Sequence, residues 1–135
     1  MTTKKTNTLL WIPKLVAALI MLQTLYFKFS GAPESVYIFS AIGMEPWGRI
    51  GSGIMELIAS LLILVPPTAA FGALLGIGIM SGALFFHLTK LGISVQGDGG
   101  LLFCYALAVL FCCMLIAYVK KEQLFRLVKK SKIPL

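Results

Sequence analysis

Four long apolar runs, spanning about 9–29, 48–65, 68–88 and 100–119, leave this chain few folds to choose from. At 1.5 Å per residue each is long enough to cross most or all of a bilayer core as a helix. In hydrocarbon every backbone amide and carbonyl must be satisfied internally, so such runs become helices. Composition agrees. Of 135 residues, 59% are hydrophobic and only 13% charged, about half the charge expected of a soluble domain. The expected fold is all-α: one integral membrane domain, residues 1–135, built as an antiparallel bundle of four transmembrane helices.

The segments between the runs carry their own signals. Pro13 falls in the first turn or so of the first span, where proline is tolerated. Lys14 is expected to snorkel to the surface there, beside an interfacial Trp11. The run is too long for a secretory signal core, and no small-residue cleavage site follows it. Ser30-Gly31 breaks the helix. Pro33–Ile42 then reads as a short interfacial helix between the first two spans, with proline in its first turn, Glu34 beside it and Gly43 as its stop. Pro66-Pro67 ends the second span, so the second and third spans form a tight hairpin. Gly97-Asp98-Gly99-Gly100 is turn chemistry, with Asp98 placed to cap the fourth helix. From Lys120 a basic, amphipathic tail (120–135) reads as a surface helix drawn to anionic lipid. Residues 1–8 read as a disordered start.

The net charge of +7 lies at the two ends of the chain. Lys4, Lys5 and Lys14 open it, and Lys120, Lys121, Arg126, Lys129, Lys130 and Lys132 close it. The bases flank apolar spans, so the positive-inside rule explains them and nucleic acid does not. Both termini are therefore expected in the cytoplasm. Cys104, Cys112 and Cys113 form no C-x-x-C pair and read as small buried hydrophobes. A single histidine rules out bis-histidine haem ligation within one chain and leaves no evident metal site.

One carboxylate, Glu56, sits well inside the second span. On the lenient insertion scale it costs roughly 2.5–3.5 kcal/mol there, so it should face the bundle and find a partner. Helical spacing puts Glu45, Arg49, Ser52, Glu56 and Ser60 on one stripe. Topology brings Lys28, Arg49, His87, Lys90 and Asp98 to the same outer end of the bundle, with Gln23 at a similar depth. The expected site is an outward polar pocket of Lys28, Arg49, Ser52, Glu56, His87 and Asp98. Most members also have a plainer reading: Lys28 as a snorkelling base, Arg49 as a topology anchor, Glu56 as half of a purely structural ion pair with Arg49 or Lys28, His87 as a satisfied interfacial histidine, Asp98 as a cap. Gly72/Gly76 and Gly78/Gly82 are two G-x-x-x-G spacings, read as close helix packing within the monomer or as a homodimer face.

Several of these residues carry a resemblance to the DoxX-like family of small four-helix membrane proteins. It rests on Tyr26-Phe27-Lys28-Phe29, Gly48-Arg49 with Glu56, Gly82-Ala83 leading to His87, and Gly97-Asp98-Gly99-Gly100. It covers roughly residues 21–110. The resemblance implies a bacterial inner membrane and association with membrane redox assemblies. One branch resembles a subunit of a thiosulfate:quinone oxidoreductase, and others are described as membrane partners of soluble oxidoreductases. It nominates Lys28, Glu56 and His87. Three expectations follow. The chain is an accessory membrane subunit whose pocket binds a small molecule or lipid head group; or a quinone-linked component using Glu56 and His87 for proton transfer; or a ligand-free scaffold or dimer packed through the third span.

Overall fold

The computed structural model describes residues 3–132, with side chains from 5 to 126. The basic side chains of Lys4, Lys129, Lys130 and Lys132, and Leu127 and Val128 beside them, lie outside that description. Among the described residues the regular elements are all helical: α1 (Thr3–Ser30), α2 (Pro33–Ala41), α3 (Trp47–Leu64), α4 (Ala69–Phe86), α5 (Leu101–Val119) and α6 (Lys121–Lys132). A 3-10 turn, Pro66–Thr68, joins α3 to α4, and α4 runs on into a π-helical turn, His87–Leu91. Among the described residues four helices are long and apolar enough to cross a membrane: Lys5–Ser30, Trp47–Leu64, Pro66–Leu91 and Leu101–Val119. Their outer faces carry large exposed apolar side chains, among them Ile12, Leu19, Ile58, Leu61, Phe85 and Phe111. That surface suits lipid and not water. The protein is a multi-pass membrane protein.

The helices alternate in direction. α1 packs on α3 and α5, α4 packs on the same two, and α1 and α4 stand at opposite corners. The α3–α4 hairpin closes one end of the bundle; α2 lies across the other. At the hairpin end small side chains let the helices meet closely. Ala17, Ala59, Ile63, Ala69, Ala73, Val109, Cys113 and Ile116 are fully buried there. Gly72 is indispensable to this contact. A Cβ at Gly72 would stand 2.6 Å from the Ile63 nitrogen and 2.7 Å from the Ala59 oxygen. A Cβ at Gly76 would meet the Cys113 sulfur at 2.6 Å. These two glycines pack helices inside the monomer. Gly78 and Gly82 do not: a Cβ at either would meet nothing within 4 Å.

Several ends and side chains differ from the sequence reading. The start is not disordered among the described residues, since α1 begins at Thr3. Asn7 accepts a hydrogen bond from Lys120, which ties the polar first turns to the far end of α5. Pro13 consequently lies inside α1 and not in its first turn. Lys14 is not at the surface either; it is 2% exposed, with its ammonium 4.5 Å from the Trp11 ring. Of the three thiols only Cys113 is fully buried, and Cys104 is exposed. At the other end of α1, Gly31 takes φ +69° and the Ala32 amide donates to the Phe27 carbonyl, a Schellman stop. The tail forms the expected helix, and Gln123 holds it to the hairpin. Its amide donates to the Pro66 carbonyl (2.9 Å) and its oxygen accepts from the Ala70 amide (3.1 Å).

Candidate functional site

The tight half of the bundle gives way to an open half. Between α1, α3, α4 and α5, under α2, lies a cavity of about 640 Å³. Met21, Met80 and Ala106 belong both to the core and to the cavity lining and form its floor. Ile38 and Phe39 of α2, with Ile42 just past its end, line its opposite side. Gly78 and Gly82 line it too, and their missing side chains contribute to its volume. The glycine pattern of the third span therefore serves two ends: Gly72 and Gly76 bring helices together, while Gly78 and Gly82 keep a space open.

Glu56 faces this space, at 3% exposure. Its Oε1 pairs with the Lys28 ammonium at 2.7 Å. Lys28 stands two residues from the end of α1. Helical side chains lean toward the N-terminus of their helix, so Lys28 reaches back down α1 toward Glu56. Thr24, one turn below on the same face, has a single hydroxyl proton. It finds the Met21 carbonyl at 2.7 Å and Glu56 Oε2 at 3.3 Å. The buried carboxylate thus has the partner that its depth requires, contributed by another helix. Ser52 lines the cavity one turn from Glu56, its hydroxyl donating to the Arg49 carbonyl (3.3 Å). Ser60 continues the stripe inward, fully buried and bonded to the Glu56 carbonyl (2.8 Å).

Arg49 is not part of the pocket. Its Nε lies 3.0 and 2.9 Å from the two Glu45 oxygens, and it also donates to the Lys28 carbonyl. That carbonyl is among the unpaired groups at the end of α1, so Arg49 fastens α3 to α1. The guanidinium fork spans a carboxylate and a carbonyl at once, and it does not line the cavity.

Asp98 lines the cavity but is also committed. Its carboxylate accepts from the Val95 amide (2.9 Å), the Gly100 amide (2.8 Å) and the Leu102 amide (3.2 Å). It shapes the loop and caps the start of α5. Burial pushes its carboxyl up, but the three amides and the nearby His87 outweigh burial and hold it below its ordinary value.

His87 opens the π-helical turn after α4 and is 6% exposed. Its Nδ1 lies 3.0 Å from the Gly92 carbonyl, and its ring meets Phe103 edge-on at 5.7 Å. Gly92 takes φ +81°, a conformation that glycine adopts without strain. π-helical turns occur often at functional positions.

Residues that the sequence pattern did not single out complete the lining: Thr24, Glu34, Ser35 and Tyr105. They fall on no repeating polar stripe of their helices, so no periodicity marks them. Gln23 lines the cavity as expected, though it is an exposed residue. Among the described residues no group of three His, Cys, Asp or Glu side chains could hold a metal ion. Lys90 is exposed and does not line the cavity.

Fold and surface together define an all-helical multi-pass membrane protein with a cavity in one half of its bundle. Comparison of the chain with protein-family models, curated proteins and solved structures returns no match.

Proposed function

We propose that this protein binds a small amphiphilic molecule within the membrane, as an accessory subunit and not as a catalyst in its own right. One observation carries the reading. A cavity of about 640 Å³ has mostly apolar walls but gathers a buried ion pair, a buried histidine and several hydroxyls in its lining. Ligand pockets typically fall between about 300 and 1,000 Å³ and combine apolar walls with a few polar groups that fix orientation. A cavity with no occupant to bind would more simply be filled by side chains, because each void forfeits packing contacts.

The basic flanks support placing the α2 end, and with it the pocket, on the side away from the cytoplasm. The DoxX-like resemblance supports a bacterial inner membrane and service to a membrane redox assembly. Native mass spectrometry of the protein released from native membranes tests the binding claim. The wild type should carry a bound small molecule that Gly82→Leu, which fills open space, does not. Identical spectra, or two empty proteins, would sink the reading.

A further inference from the structure

Two polar side chains in the cavity are more than nine-tenths buried and still have an uncommitted atom. The first is His87, the one histidine of the chain. A carbonyl can only accept, so the Nδ1 facing Gly92 at 3.0 Å carries the proton. In the uncharged ring Nε2 then presents a lone pair, and it has no hydrogen-bond partner among the described residues. The second is Ser35, on α2, 8% exposed, whose hydroxyl has no partner among the described residues either. Neither atom is sealed away, and both residues line the cavity. Leaving such groups unpaired is costly, so each calls for a complement inside the cavity.

Charge narrows the class of ligand. Besides the His87 imidazole, the lining holds one base, Lys28, against three carboxylates, Glu34, Glu56 and Asp98. Lys28 is taken by Glu56 and Asp98 by backbone amides. Glu34 alone has no partner among the described residues, and it is exposed, so its field is weak. An anion entering this cavity finds Lys28 already paired and three carboxylates in the lining. A cation pays desolvation against apolar walls and stands near the Lys28 ammonium.

Resting on the proposed binding role, we infer that the pocket selects an uncharged amphiphile whose polar head bears an O–H. The head donates to His87 Nε2, its oxygen accepts from Ser35, and its apolar body fills the space beside Gly78 and Gly82.

A series that shares one octylphenyl body tests this in lipid nanodiscs: 4-octylphenol, 4-octylanisole, 4-octylbenzoate and 4-octylbenzyltrimethylammonium. Affinity is measured by titration against wild type, Gly82→Leu and Ser35→Ala. Because there is one histidine, ¹⁵N-histidine labelling gives one imidazole spectrum that reports Nε2 directly. Octylphenol should bind saturably, move the Nε2 resonance from its free to its hydrogen-bonded position, and bind about tenfold more tightly than octylanisole, the effect of one hydrogen bond. Ser35→Ala should weaken it severalfold, and the benzoate and ammonium should bind more weakly still. Phenol and anisole binding equally, both lost in Gly82→Leu, would overturn recognition by His87 and leave the pocket standing. Tightest binding by the benzoate or the ammonium would overturn the uncharged head in the same way. Should no probe distinguish wild type from a folded Gly82→Leu, the inference and the binding role fall together.

Discussion

Replacing Lys28 by methionine removes the positive half of a pair whose other half is 3% exposed. At the observed 2.7 Å the Coulomb attraction is about 6 kcal/mol for an effective dielectric of 20. Desolvation of the two ions, several kcal/mol each, offsets most of it, so the intact pair adds little net stability. Removing one partner is different. Methionine keeps the length of the chain but leaves Glu56 with only Thr24 at 3.3 Å. The expected cost of Lys28→Met is about 3–5 kcal/mol, the penalty of an uncompensated buried charge. Glu56→Met should cost less, because the long Lys28 stem can redirect its ammonium to an interface. The double variant should recover most of the Lys28→Met loss, since it buries no charge at all. Reversible unfolding in mixed micelles, followed by far-ultraviolet circular dichroism, yields all four corners of the cycle. Lys28→Met within about 0.5 kcal/mol of wild type, or a double variant no better than Lys28→Met, would refute the argument that Lys28 compensates the buried Glu56 side chain.

The two glycine pairs should separate cleanly: Gly72→Ala drives a Cβ into the α3 backbone and should cost about 1–3 kcal/mol, whereas Gly78→Ala, facing open space, should stabilise by up to about 1 kcal/mol, both read from the same unfolding assay. Asp98 is held below its ordinary 3.8, so the unfolded chain takes up its proton first; its contribution is fully present above about 3.8 and is lost as pH falls through the folded value. The gap in thermal stability between wild type and Asp98→Asn should therefore shrink as pH falls from 5 toward 3, and a constant gap would contradict the role of the carboxylate charge. Gln123→Ala strips the α3–α4 hairpin of both its bonds to α6; a loss of about 1 kcal/mol predicts roughly fivefold faster tryptic cleavage at Lys121 or Arg126, and an unchanged rate would show that α6 is held by other contacts.

Hydropathy alone determined the four spans, because the transfer free energy of apolar side chains adds along a helix and needs no knowledge of neighbours. Turn chemistry likewise placed α2 between Pro33 and Gly43 and set the hairpin at Pro66-Pro67. The expectation that Glu56 needs a partner from another helix was also legible, since a carboxylate in an apolar run has no cheaper state. Which partner it takes was not. Lys28 and Arg49 come to the same end of the bundle with the same charge, and only the rotation of α1 against α3 gives Glu56 to Lys28 while Arg49 closes on Glu45 and the α1 terminus. The two G-x-x-x-G spacings are identical as strings, yet Gly72 and Gly76 are pressed against neighbours and Gly78 and Gly82 border a void. That difference arises because helices joined by a tight turn pack closely at one end of the bundle and enclose a space at the other. Pairing and emptiness depend on distances between helices, and those are properties of the packed bundle.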